Sequence, residues 1–229
     1  MTVGSTAPRR ETRLLRPARP TLQSRKQQFV RDAIWDAAID LFSEKGFDET
    51  TVDDIADAAG VSRRSFFRYF SSKSDLMAHG IVSYGTAVTD AIAACPKNAT
   101  PAEVFRTTVR EVAGHQATQP RTRKIMQIAA KYPAAREAQL SRVAEVQDHV
   151  AEAFARRSPK GSPNDLTAHL FASLTLSVFG VTFRAWLESS PQDMSITVER
   201  VFATLGLFLA GDGELATGSG RRANKKSKR

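Results

Sequence analysis

Four cations carry the most specific chemistry in this chain. Between Asp57 and Asp75 there is no acidic residue, while Arg63, Arg64, Arg68 and Lys73 stand there together. Arginine presents a planar fork of donors that matches a phosphate or the O6/N7 edge of guanine. A basic cluster on an otherwise acidic stretch is an electrostatic footprint for a polyanion. The same spacing also fits a solvated face on an ordinary helical hairpin, and charge alone does not separate the two.

Other chemistries find no such constellation. His79, His115, His149 and His169 are scattered, form no HExxH pair and do not join Cys95 at metal-ligand spacing. No nucleophile elbow or phosphate-cradling glycine loop is present. The reading therefore expects no catalytic residue, no metal and no cofactor. The single cysteine, Cys95, excludes an intramolecular disulfide and suits a reducing cytoplasm. It reads as a small buried or linker residue rather than a redox centre.

The elements that must position the cations follow from period and caps. Val52, Ile55, Ala56 and Ala59 recur at helical spacing and share one face. Thr51 fits an N-cap with Asp54 at N3, and Asp53 also sits in the first turn. Gly60 ends that helix where a left-handed residue is wanted. Val61 fills the corner, and Ser62 caps a second helix over Arg63–Phe70. Ser72 and Asp75 form a capping pair for the next helix. Thr51 to Phe70 thus reads as a helix-turn-helix, which sets the N-terminal end of its second helix against base edges. Arg63 and Arg64 lie at that end.

Before it, Val30, Ile34, Ala37 and Leu41 predict a helix over Gln27–Lys45, stopped by Gly46, with Phe47 folding back onto the core. Trp35 falls off that stripe and is expected to meet the fourth helix. Together, Ile34, Ala37, Ala38, Leu41, Phe42, Gly46, Phe47, Thr50-Thr51-Val52, Ile55-Ala56, Ala59-Gly60-Val61-Ser62, Phe66, Tyr69-Phe70, Ser72-Lys73 and Leu76 form a pattern that resembles the TetR family of bacterial transcriptional regulators. The resemblance implies DNA contacts from Thr51, Arg63, Arg64, Ser65, Phe67, Arg68, Tyr69 and Lys73, with Tyr69 and Lys73 on phosphate. Phe67 stands where many members carry tyrosine, so a phosphate-contacting hydroxyl is missing there.

Downstream, helices are expected over Ser72–Ala94, Ala102–Gln119, Arg121–Tyr132, Ala135–Arg157, Asn164–Ser189 and Met194–Ala210, broken by Pro101, Pro120, Pro133, the 158–163 stretch and Pro191. No strand period persists. The expected fold is all-α, with an N-terminal three-helix helix-turn-helix domain (25–87) followed by a larger helical ligand-binding and dimerisation domain (88–211). Leu166 to Phe183 holds no formal charge, yet its Thr, Ser and His content favours a buried helix over a membrane span. Eight bases and one acid in residues 1–31, and six bases and no acid in 221–229, bring the ends to +13, so the remainder is net acidic within the overall charge of +9. The arm 1–24 and the tail 212–229 are therefore expected to be disordered, with an affinity for nucleic acid that ignores sequence. The basic N-terminus lacks the apolar segment of a secretory signal.

The resemblance further implies a small, mostly apolar effector enclosed by the second domain. Its candidate lining is His115, Met126, Phe171, Thr175, Phe179, Phe183, Arg184 and Trp186. It also implies a homodimer through the last two helices, on palindromic double-stranded DNA. A repressor released by its effector is the favoured function. The alternatives are a helical enzyme or interaction protein with an incidental helix-turn-helix, and a nucleoid-type protein acting through its tails.

Overall fold

The computed structural model describes residues 21–157, 166–188 and 194–210. Among them every element is a helix: α1 (Leu22–Glu44), α2 (Val52–Ala58), α3 (Arg63–Tyr69), α4 (Lys73–Ala94), α5 (Pro101–Ala117), α6 (Pro120–Lys131), α7 (Pro133–Leu140), α8 (Val143–Ala155), α9 (Leu166–Glu188) and α10 (Met194–Ala210). The expected breaks at 158–163 and Pro191, most of the basic arm and all of the basic tail lie outside the described residues.

Two boundaries differ from the sequence reading. Helix α1 begins at Leu22, where Thr21 accepts from the Ser24 amide at 3.1 Å. Residues 21–29 are all exposed, so they carry no apolar stripe to announce the helix. Good helix formers and a Gln28–Asp32 side-chain bond of 2.9 Å hold those turns instead. The helix expected over Ala135–Arg157 is two, α7 and α8, separated at Ser141-Arg142. There Ser141 Oγ donates to the Ala138 carbonyl at 2.7 Å, and Arg142 pairs with Glu145 at 2.8 Å. Neither glycine nor proline marks that turn, so no breaker signal was available.

The buried residues form two clusters. One joins Ile34, Phe42, Phe47, Ile55, Phe66, Phe70, Leu76 and Met77 across α1 to α4. It also takes in Ile128 and Ala129 of α6 and Ala135 of α7. The other runs through α4, α5, α8, α9 and α10, around Val88, Val109, Val150, Ala172, Phe179 and Val198. Helix α6 is thus seated on the first unit. Lys124 pairs with Asp40 at 2.6 Å and Arg121 with Asp36 at 2.5 Å. Gly46 has φ +103°, and a Cβ there would lie 2.6 Å from the Tyr132 hydroxyl. Only glycine satisfies both the left-handed turn and that close approach. Trp35 meets the fourth helix as expected, its Nε1 donating to the Leu76 carbonyl at 3.1 Å. Helix α9 is apolar and long enough to cross a membrane by length and composition alone, but here it packs against α8, α10 and α5.

Candidate nucleic-acid interface

Helices α2 and α3 have seven residues each. Helices this short are unstable alone, so capping and burial must hold them. Thr51 and Asp54 form the capping box: Thr51 Oγ1 accepts from the Asp54 amide at 3.1 Å, and Asp54 accepts from the Thr51 amide at 2.9 Å. The backbone amide of Thr51, its hydroxyl and Lys45 hold the Asp54 carboxyl down to about 2. Gly60 turns the chain with φ +66°, and the Val61 amide donates back to the Ala56 carbonyl at 2.9 Å. Ser62 then caps α3 by accepting from the Ser65 amide at 3.1 Å. Phe66, fully buried, locks the rotation of α3 about its axis. That rotation leaves Arg63, Arg64, Phe67 and Arg68 facing solvent together.

The four side chains are not equivalent. Arg63 Nη1 sits 2.6 Å from the Asp53 carboxylate, and its guanidinium lies over the Phe67 ring, 5.6 Å from the centroid. Asp53 is therefore part of the site. The sequence reading placed it only as a helix-start acid; the close approach of the α2 and α3 N-termini across the turn was the available signal. Arg64 makes no hydrogen bond or ion pair with a described residue. Arg68 lies over the Tyr69 ring at 4.9 Å and donates to its hydroxyl at 3.3 Å. Ser65 accepts from the Ser62 hydroxyl at 3.0 Å, and Thr51 is committed to its cap.

Lys73 departs from its expected role. Its ammonium turns inward, donating to the carbonyls of Phe47, Asp48 and Thr50 at 2.7, 2.9 and 3.2 Å, over the Phe47 ring. It is satisfied by the α1–α2 loop and is not extended toward a phosphate.

A basic α3 displayed by a capped helical pair is an arrangement shared with known regulators. The model of the tetR family of bacterial regulatory proteins matches residues 34–79, and that of the MftR C-terminal domain matches residues 99–209. The chain belongs to the TetR family. The HTH-type transcriptional regulator TcmR of Streptomyces glaucescens is 26% identical over 192 residues, 78% of this chain and 82% of its own. The negative regulator IcaR of the Staphylococcus aureus biofilm operon icaADBC is 47% identical over 47 residues, only 20% of this chain and 25% of its own. Among solved structures, a TetR-family regulator from Syntrophomonas wolfei aligns over 83% of this chain and 98% of its own, with TM-score 0.61 and 18% identity. NalD, the secondary repressor of the MexAB-OprM efflux pump in Pseudomonas aeruginosa, aligns over 78% and 96%, with TM-score 0.53 and 22% identity. Like the rest of the family, this chain is a DNA-binding transcriptional regulator.

As a TetR-family body, α5 to α10 were expected to enclose an effector, and the candidate lining is only partly assembled. Phe171, Phe179, Phe183 and Trp186 are in or against the body core, with Met126 beside them. Thr175 is buried but donates to the Phe171 carbonyl at 2.6 Å. His115 and Arg184 are exposed on the surface, so neither lines an interior site. They were candidates as polar residues on otherwise apolar helices of the resembled pocket, but each falls on the solvent side of its helix. Rings fill the interior: Tyr84 meets Phe179 at 4.8 Å, and Phe171 lies between Phe154 at 5.6 Å and Phe105 at 5.9 Å. The hydroxyls of Tyr84, Thr108 and Thr182 are buried without a hydrogen-bond partner among the described residues.

Proposed function

We propose that the chain is a repressor that binds a near-palindromic operator as a two-fold dimer and is released by a small, mostly apolar effector. It would act in the cytoplasm, as a binding protein rather than an enzyme. Residues 25–87 would be the DNA-binding domain and 88–211 the effector and dimer domain, with the arm 1–24 and the tail 212–229 flanking them. Helix α1, which starts at Leu22, supports a first limit a few residues earlier.

The observation that carries the dimer is the outer face of the last two described helices. Leu166, Leu170 and Val181 of α9, and Ile196, Leu207, Phe208 and Leu209 of α10, are each more than half exposed. Large apolar side chains left exposed on two neighbouring helices fit a partner surface. Two copies joined isologously would place two α3 helices one DNA turn apart, about 34 Å. IcaR, named a negative regulator, and NalD, named a repressor, support the direction of regulation.

The three unpartnered hydroxyls support the effector. A buried hydroxyl without a partner costs roughly 1–3 kcal/mol, and a ligand carrying acceptors would remove that cost. Surrounding rings favour a ligand otherwise apolar. Such a ligand would act by preferring a subunit arrangement whose reading helices no longer fit successive grooves. The deciding experiment is footprinting on duplexes selected from a random pool. Two protected half-sites one helical turn apart are expected; a single unrepeated half-site bound tightly by a monomer would overturn the reading.

A further inference from the structure

The surface of α3 contains one group that the arginine chemistry does not explain. Phe67 is 46% exposed, in the middle of Arg63, Arg64 and Arg68. A lone exposed aromatic is ordinary; one at the centre of a basic reading face is not. Its neighbour Phe66 is fully buried and meets it edge-on, with centroids 5.3 Å apart. Turning Phe67 inward would expel Phe66 from the core, so the exposure is imposed by the fold. One side of the ring is taken by the Arg63 guanidinium, itself tied to Asp53. The remaining ring surface and Arg64 are the groups left to meet the groove.

Resting on the reading of α3 as the base-reading helix, we propose that Phe67 is a specificity-determining residue that recognises the 5-methyl group of a thymine. A phenyl ring has no donor for a phosphate and no acceptor for a base edge. The thymine methyl is the one apolar group that the four bases present in the major groove. Against this ring, the amino group of adenine or cytosine would lose water without gaining an acceptor, so those bases are disfavoured. Arg63, held by Asp53, positions the ring and is removed from the set of free readers. The operator would then pair a guanine read by Arg64 with a thymine read by Phe67, a short distance apart on one half-site.

The test uses the full chain. Duplexes are first selected from a random pool; if no sequence is enriched, the regulator reading fails and this proposal falls with it. With an enriched site, each thymine is replaced by deoxyuridine in turn, which removes only the methyl, and the Kd is measured at fixed salt. One thymine per half-site is expected to show a weakening of about fourfold, the worth of one buried methyl. Phe67→Ala should lose affinity for the thymine site and bind the uracil site equally well, while Phe67→Leu keeps part of the difference. Replacing that thymine by cytosine and then by 5-methylcytosine should lose affinity and regain part of it. Two results overturn the proposal: no uracil-sensitive thymine in the wild-type site, or a methyl dependence that persists in Phe67→Ala. The uracil series on the wild-type protein decides even where the alanine variant folds poorly.

Discussion

At the scale of single residues, the interface separates cations that are free from cations that are engaged. Arg64 has no hydrogen-bond or ion-pair partner among the described residues, so Arg64→Ala should lose about 1–3 kcal/mol of affinity for the selected site and much less for random DNA. Arg63 is neutralised by Asp53, and its removal should change discrimination less. Asp53→Asn should free Arg63 to reach a phosphate. The expected outcome is tighter binding to random DNA and a log–log salt slope steeper by about 0.9, measured by titration at several salt concentrations. Lys73→Ala should behave differently from any DNA contact. Three carbonyls of the α1–α2 loop lose a charged donor, so the melting temperature should fall, by a stability loss of roughly 1–3 kcal/mol, with the salt slope unchanged. In the body, burial pushes the Tyr84 hydroxyl well above the ordinary phenol value, and that hydroxyl has no hydrogen-bond partner among the described residues. Tyr84→Phe should keep or raise stability in thermal melts and weaken any effector that uses the hydroxyl.

At the scale of elements, the junction between α1 and α4 contains a pH-sensitive contact. His79 lies edge-on to Trp35 and Phe70, and its Nε2 is 3.3 Å from the Ser83 hydroxyl. Burial, with Arg31 of α1 adding to it, holds the imidazole below its ordinary value, while Asp32 of α1 and Asp75 of α4 oppose the shift. Arg142 of the α7–α8 turn and Glu145 of α8 line the same cleft. The folded state therefore prefers neutral histidine more than the unfolded state does. The stabilisation is fully present above the unfolded value near 6.5 and is lost as the pH falls through the lower folded value. Between about pH 7.5 and about pH 5.5 the wild-type melting temperature should drop more than that of His79→Phe, which keeps the rings in contact but cannot titrate. Equal slopes would show that protonation at His79 is not felt by the fold.

At the scale of the whole molecule, the prediction concerns the apolar face of α10. Val201 and Leu205 lean on the body core, whereas Leu207 and Phe208 point outward at 56% and 69% exposure. Aspartate at Val201 or Leu205 would therefore damage the fold itself. Leu207→Asp with Phe208→Asp should instead leave the circular dichroism spectrum intact and give a monomer in sedimentation. A variant that still sediments as a dimer would place the interface elsewhere. Deleting residues 1–20, which hold five arginines and one acid and stop short of the Thr21 cap, should flatten the salt slope of DNA binding. An unchanged slope would mean that the arm does not touch DNA.

What the sequence determined by itself was local. The capping box of Thr51 and Asp54, the left-handed Gly60, the Ser62 cap and the period of Val52, Ile55 and Ala56 are short-range features, and each appears in the structure where its spacing placed it. These features were sufficient to place α2 and α3 and the three arginines on α3. The first turns of α1 and the α7–α8 break escaped because neither buries a stripe nor contains a breaker residue. What only the tertiary structure decided was which partner each charged group meets. Asp53 lies ten positions before Arg63, and Lys73 more than twenty after the carbonyls it satisfies. The burial of Tyr84 against Phe179, and the exposure of His115 and Arg184, are likewise products of helix packing. Helical period says which side chains share a face. It does not say which neighbouring helix covers that face, because that depends on contacts between segments far apart in the chain.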